Sequence, residues 1–453
     1  MTPHMNVMLA GLDHYVRDKA AACRHLEEWT AAGKQWLSYK TIPWNKESAD
    51  EVYEYWANTT GFQHPLVDGI VIDEANGDDL ESYGYFAAAV HRLNANPRFR
   101  GKSVHARCDA LYGDDRSTEF ARVCLAGGGY LCWERYFGEE RTAKAMRESL
   151  RRYMAAPMVK WERVFPGVTR RMVMAFGSMS EPPENMNFLP TVDHRVCMDM
   201  QMQYLATYPA FFGIGGIQWY HNGHAGEETV RCIGRLYRHY AIDGKTEPMI
   251  VSPFNLGHIV NPDFGDGTKG WTLMPAAADS LQVKTYKNYG DRVQGRFFGG
   301  IGDRVIRPQG IGDTFFLIRR SAAAPNIFMQ EIRNLERGRF YSMKMMTADY
   351  QDLLEGWSSK ALHAVSIRLA GVTMLPGAKN NFQFPIRQAR AIGKFDWKYR
   401  FYSNYHWRVF RAGGTSAELT VTDWGGDFFP GEPAGQELMF SFIEIQPYLE
   451  LED

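Results

Sequence analysis

The sequence predicts an α/β chain in two parts: a (β/α)8-like barrel over residues 1–250, then an all-β sandwich over residues 251–453. Three observations carry this expectation. From residue 5 to about residue 240, short apolar runs alternate with helical stretches, the pattern of βα units around a parallel sheet. No G-x-G-x-x-G follows the first run, which disfavours a doubly wound nucleotide-binding fold. After about residue 250 helical periodicity fades and short alternating runs recur at regular spacing, as in antiparallel sandwiches.

The parallel strands are expected at NVMLAG (6–11), QWLSYKT (35–41), GIVIDE (69–74), SVHARCD (103–109), GYLCWERY (129–136), RMVMAFG (171–177) and GIGGIQWYH (213–221). These make seven. A barrel of this type needs eight strands, so the first is expected upstream of residue 1, and Glu74 and Glu134 would then end strands four and six. Between the strands lie helical candidates, several opening on a capping residue such as Ser48, Asp79 or Ser117. The β-rich part begins near PFNLGHIVNP and includes SLQVKTY, DTFFLIRR, NIFMQEIRN, FYSMKMMTA, YRFYSNYHWRVFRA, AELTVTDW and MFSFIEIQPY. A length of 453 residues exceeds one ordinary core and suits two domains.

Composition narrows the partners. With 51 basic and 52 acidic residues the formal net charge is −1, so no field steers the chain toward nucleic acid or an anionic membrane. A neutral or small polar partner fits better, and the 14% aromatic content supplies amphipathic rings of the kind that lie against sugar faces. No run of 18 apolar residues occurs, and MTPHMNVMLAG lacks the regions of a signal peptide. The six cysteines show no zinc or C-x-x-C spacing, and most of them read as buried free thiols.

NPDFGDGTKGWT (261–272), NIFMQEIRNLERGRFYSMKMMTAD (326–349) and FSFIEIQPY (440–448) together resemble the opening segment, central strand pair and last strand of carbohydrate-binding jelly-roll modules. The resemblance implies a jelly-roll sandwich and a structural calcium with Asp263, Asp266 and Glu444 as its oxygen ligands. It departs from the family at Gly265, where an acidic residue is usual. A barrel followed by such a module resembles the layout of secreted glycoside hydrolases, which implies a carbohydrate substrate, a secreted or periplasmic location and no catalytic cofactor. DGIVIDE is similar to the D-G-x-D-x-D-x-E strand of chitinase-type enzymes. Val71 replaces its middle acid and the Glu comes one residue early, which argues against attack by a substrate acetamido group.

Active sites of parallel barrels form at the C-terminal strand ends. Asp73 and Glu74 end the third visible strand, Asp109 ends the fourth, and Glu134 lies near the end of the fifth. Glycoside hydrolysis needs two carboxyl groups, one protonated and one ionised. Because side chains alternate, Asp73 and Glu74 cannot both face the mouth. Both faces of the strand are apolar, so the longer Glu74 is preferred, paired with Glu134.

Other strand ends mix polar and aromatic groups suited to a sugar: Tyr39, Lys40 and Trp44; Arg107 and Tyr112; Trp133; Glu181; and Gln218, Trp219, Tyr220, His221 and Asn222. Trp219 or Tyr220 is the expected subsite wall. Two further readings use the same residues. One is a polysaccharide lyase with Lys40, Tyr39 or His221 as base, and the other is a glycan-binding protein without catalysis.

Overall fold

The computed structural model describes residues 5–10, 19–76, 80–181, 184–220, 223–285, 314–355, 357–388, 401–427 and 434–449. Its first half is built on β1 (Val7–Leu9), β2 (Gln35–Thr41), β3 (Gly69–Asp73), β4 (Ser103–Cys108), β5 (Leu131–Arg135), β6 (Met172–Gly177) and, after the short β7 (Ser180–Glu181) and β8 (Glu184–Asn185), β9 (Gly216–Tyr220). The seven long strands pair in chain order, all parallel, with β1 and β9 at the edges. Each of the seven predicted runs therefore contains a strand. Among the described residues β1 and β9 do not pair, so the sheet is an open seven-stranded one rather than a closed barrel of eight.

The sheet is nonetheless strongly curled. Three strand spacings separate β4 from β9, about 14 Å in a flat sheet at about 4.8 Å each. Yet the Arg107 guanidinium carbon on β4 lies 4.1 Å from the ring centre of Tyr220 on β9. The concave face is thus narrow enough for side chains to meet across it.

The convex face is apolar and covered by helices, among them α2 (Ala49–Ala57), α4 (Leu80–Ala95), α5 (Asp115–Ala126) and α8 (His194–Thr207). Ile70 and Ile72 of β3, Val104 and Ala106 of β4 and Trp133 of β5 pack with Trp56, Phe86 and Phe120 in one buried cluster. Ser48 caps α2 as expected, its hydroxyl accepting from the Glu51 amide. Asp114, not Ser117, caps α5, because its carboxylate accepts from two amides of the first turn where a serine hydroxyl three residues later would lie inside the helix. Asp79 lies outside the described residues.

The described residues of the second half form two antiparallel sheets. The smaller joins β10 (Thr272–Met274), β13 (Ile327–Ile332), β19 (Ala417–Thr422) and β15 (Ser366–Ala370) in that order. The larger runs β11 (Leu281–Thr285), β12 (Thr314–Arg319), β20 (Glu437–Pro447), β14 (Phe340–Asp349), β18 (Phe401–Ala412), β16 (Val372–Met374), with β17 (Asn381–Gln388) also on β18. Phe328, Leu419 and Val421 of the small sheet pack against Phe316, Phe440 and Ile443 of the large one, so the two are stacked face to face. A further cluster, with Phe315, Met346, Phe401 and Phe442, covers the other side of the large sheet. Burial on both sides explains why β20 is buried along its whole length instead of alternating.

Burial of this kind forces polar groups to pair. On β14 the Thr347 hydroxyl lies 2.5 Å from His363 Nε2 and 2.7 Å from His406 Nε2, all three residues being buried. Burial drives both imidazoles well below the usual histidine range, His363 to about 3, so both rings are neutral at physiological pH. One hydroxyl can donate to one ring and accept from the other. Thr347→Val keeps the shape and strands both nitrogens. It is expected to lower unfolding free energy by about 2–3 kcal/mol, read as an earlier urea midpoint at unchanged m-value.

NPDFGDGTKGWT forms a closed loop over the stacked sheets. The Asn261 side chain holds the Gly267 and Lys269 carbonyls and the Asp266 amide, while Phe264 and Trp271 bury their rings in the core between the sheets. The three expected calcium ligands are not assembled here. Asp263 accepts from the Gly265 amide, Asp266 pairs with Lys269, and Glu444 is buried against Lys344 at 3.0 Å. Among the described residues no group of three or more potential ligands is placed to hold a metal ion. All six cysteines are free, five of them buried. No helix among the described residues is long and apolar enough to cross a membrane.

Candidate active site on the concave face

Strand alternation decides which acids meet. Ile70 and Ile72 pack outward among the helices, so Val71 and Asp73 face the concave side. On β4 the outward set is Val104, Ala106 and Cys108, which turns His105 and Arg107 inward; on β5, outward Leu131 and Trp133 turn Cys132 and Glu134 inward. In-register parallel pairing then sets Asp73, Arg107 and Glu134 on three neighbouring strands at the same end of the sheet.

Arg107 is the centre of this group and is 2% exposed. One guanidinium nitrogen contacts Glu134 Oε1 at 2.5 Å, and Nε lies 3.6 Å from Asp73 Oδ1. The same guanidinium donates to the Tyr136 hydroxyl, which donates in turn to Glu134, and its carbon lies over the Tyr220 ring. Tyr136 and Tyr220 stack at 5.9 Å with their planes 9° apart. From β2, Tyr39 donates to Asp73 Oδ2.

The electrostatics separate the two acids. Burial pushes the Asp73 carboxyl up to about 6; the Arg107 charge opposes this and the Glu134 charge reinforces it. Burial alone would lower the Arg107 pKa, but Glu134, Tyr136 and Asp73 hold the guanidinium above its usual value. Burial also raises Tyr136, so it stays a neutral donor. One carboxyl raised by burial thus stands close to another that is paired with a buried cation, two different settings for like groups.

Glu74 does not belong to this group. It stands in the left-handed region at φ 59° immediately after β3, and its side chain is exposed. Contrary to the expected juxtaposition of Glu74 with Glu134, the acid that shares the Arg107 guanidinium with Glu134 is Asp73. The strand ends at Asp73, and the positive φ swings the next side chain out of the alternation that length alone would have exploited. Asp109 is 55% exposed and pairs with Arg135 at the rim, apart from the other acids.

The remaining expected contacts divide by strand face. Tyr220 is on the concave face, but Trp219 packs outward on Phe176 at 5.0 Å. Trp133 is fully buried against Trp161, Tyr112 also packs on Trp161, and Trp44 packs on Tyr83 and Phe86, so these rings belong to the helical layer rather than to a sugar platform. Gln218 alternates with Trp219 toward the concave side, Lys40 is buried, and Glu181 lies in β7 beyond the end of β6. His221 and Asn222 lie outside the described residues. Tyr136 was missed because it follows β5, although its two-residue spacing from Glu134 already places it on the same face.

No protein-family model matches the chain. No curated protein matches it either. Among solved structures it is similar to the module TmCBM61 in complex with beta-1,4-galactotriose, at 12% identity and TM-score 0.22, over 42% of this chain and 99% of that one. It is also similar to the Arthrobacter globiformis T6 isomalto-dextranase complexed with panose, at 11% identity and TM-score 0.23, over 87% of this chain and 71% of that one. A third is the enzymatically active domain of bacteriophage CBA120 tailspike protein 4, at 10% identity and TM-score 0.24, over 91% of this chain and 44% of that one. Likenesses this weak carry no argument about fold or function.

Proposed function

We propose that the chain is a glycoside hydrolase in which Asp73 and Glu134 are the two working carboxyl groups, on a barrel-type domain spanning residues 1–250 that is followed by a jelly-roll-type module over residues 251–453. The observation that carries this reading is the pair of carboxyls Asp73 and Glu134 at the C-terminal ends of β3 and β5, both held against the buried Arg107 of the intervening β4, with burial pushing Asp73 up to about 6. Asp73 protonates the leaving glycosidic oxygen, and Glu134, held by Arg107 and Tyr136, serves as base or nucleophile. Tyr220 and Tyr39 supply ring faces and hydroxyls at the same mouth. A neutral glycan accords with the net charge of −1.

The decisive experiment is digestion of a glycan panel read by mass spectrometry. Products one water heavier per cleavage are expected. Unsaturated products absorbing in the ultraviolet would instead indicate a lyase, and an unchanged panel would sink the catalytic reading.

A further inference from the structure

A cavity of about 280 Å³ lies where strand-end segments of the parallel sheet meet the larger antiparallel sheet. Ser180 and Glu181 of β7, Asn187, and the first turn of α9 (Glu227–Leu236) line it from one side. From the other side comes a row of aromatic rings: Phe382 on β17, Tyr405 and Trp407 on β18, and Tyr448 just past β20. Successive rings in this row are 5.9, 6.2 and 6.5 Å apart.

The polar groups of the wall fall into two classes. Some are already matched within the protein: Glu228 by the Leu449 amide at 2.6 Å and by Arg195, and Glu227 by Lys379 at 2.9 Å and Arg231 at 2.8 Å. Others are not. The Tyr405 hydroxyl and Gln446 Oε1 belong to residues only 3% exposed, and neither has a partner among the described residues. The Glu181 carboxyl accepts no hydrogen bond from any described side chain, and burial raises its pKa. Buried groups left in this way cost free energy unless a ligand or water satisfies them.

What the wall offers is therefore a carboxyl oxygen, an amide oxygen, a phenol and a line of ring faces. An anion is disfavoured by Glu181, Glu227 and Glu228, and the lysine at the wall, Lys379, opposes a cation. A molecule with several hydroxyl donors, one apolar face and no net charge satisfies all of these groups together. The volume lies just below the roughly 300–1,000 Å³ of drug-sized pockets, which suits one ring and not a chain.

We propose that this junction cavity binds a single neutral sugar ring, with Glu181 and Gln446 accepting from its hydroxyls and the Trp407–Tyr448 side carrying its apolar face. Asp73 and Glu134 do not line it, so the assignment stands whether or not a glycosidic bond is cleaved elsewhere.

Saturation-transfer NMR and calorimetry with glucose, galactose, mannose, N-acetylglucosamine and choline test it on the full chain. At least one of the four sugars is expected to bind with a roughly millimolar Kd. Trp407→Ala and Glu181→Ala should each weaken that binding by about tenfold or more, while Asp73→Asn leaves it within about twofold. Should Trp407→Ala unfold the chain, Glu181→Ala decides, since the Glu181 side chain is only partly buried and pairs with no described side chain. The proposal is overturned if none of the sugars binds, if choline binds in their place, if Glu181→Ala binds like wild type, or if Asp73→Asn abolishes binding.

Discussion

Asp73→Asn is expected to lower kcat on the true glycan by about 10²- to 10⁴-fold, the range a positioned general acid contributes. Glu134→Gln should cause a loss at least as large, because it removes the partner that Arg107 and Tyr136 hold. Glu74→Gln, changing an exposed side chain one residue from Asp73, is expected to stay within about threefold of wild type. The contrast between neighbours is the strict part of this prediction: an active Asp73→Asn with an inactive Glu74→Gln would reverse the assignment.

A pH profile adds a second readout. If Asp73 gives its proton to the leaving oxygen, kcat/KM of the free enzyme falls as pH rises through about 6, where that proton is lost. The sign for stability follows from the same shift. A carboxyl raised from 3.8 to about 6 binds its proton more tightly in the folded state, so its contribution is complete below about 3.8 and is lost as pH rises through about 6. Asp73→Asn, neutral at every pH, should therefore have a melting temperature that depends less on pH across that window. Loss of activity without this flattening would mean that Asp73 matters for a reason other than its proton.

Much of the scaffold was legible because it rests on local pattern. Each apolar run of the first half contains a strand, and the change of periodicity near residue 250 coincides with the change from parallel to antiparallel pairing. The site was half legible. Strand-end acids were found by position, but choosing between Asp73 and Glu74 required knowing which face of β3 is concave, and Ile70, Val71 and Ile72 are equally apolar. The missing signal lay next door: His105 and Arg107 share one face of β4, and Cys132 and Glu134 one face of β5, so a polar side existed that β3 had to match. Trp219 was misplaced for the same reason, since a ring beside Tyr220 in sequence is opposite it in space. Sequence spacing could not suggest the cavity at the junction. Its walls come from segments around residues 180, 228, 380, 406 and 447, brought together by tertiary packing alone.

That packing is also where a single change is expected to cost most stability. Lys344 on β14 and Glu444 on β20 face each other across the ladder, each 1% exposed, with 3.0 Å between them. Lys344 also donates to the Asn187 carbonyl at 2.6 Å, joining the sandwich to a residue that lines the junction cavity. Burial raises the Glu444 pKa, the Lys344 charge opposes that rise, and Glu139 and Asp193 add to it. Lys344→Met removes the opposing charge and leaves a buried carboxyl facing other acids. The expected loss is about 3–5 kcal/mol at about pH 9, above the value of about 8 at which the Glu444 carboxyl of the unaltered protein gives up its proton. Because the carboxyl can escape by taking up a proton, and a raised folded pKa gives stability that is lost as pH rises, the deficit should shrink toward about pH 5 and grow toward about pH 9. Adding Glu444→Leu should recover most of the loss, since an apolar pair of similar volume needs no desolvated charge. Denaturant midpoints of the single and double variants at both pH values check this. A Lys344→Met deficit independent of pH, or a double variant no better than the single, would show that the lysine acts through its bond to Asn187 and not through Glu444.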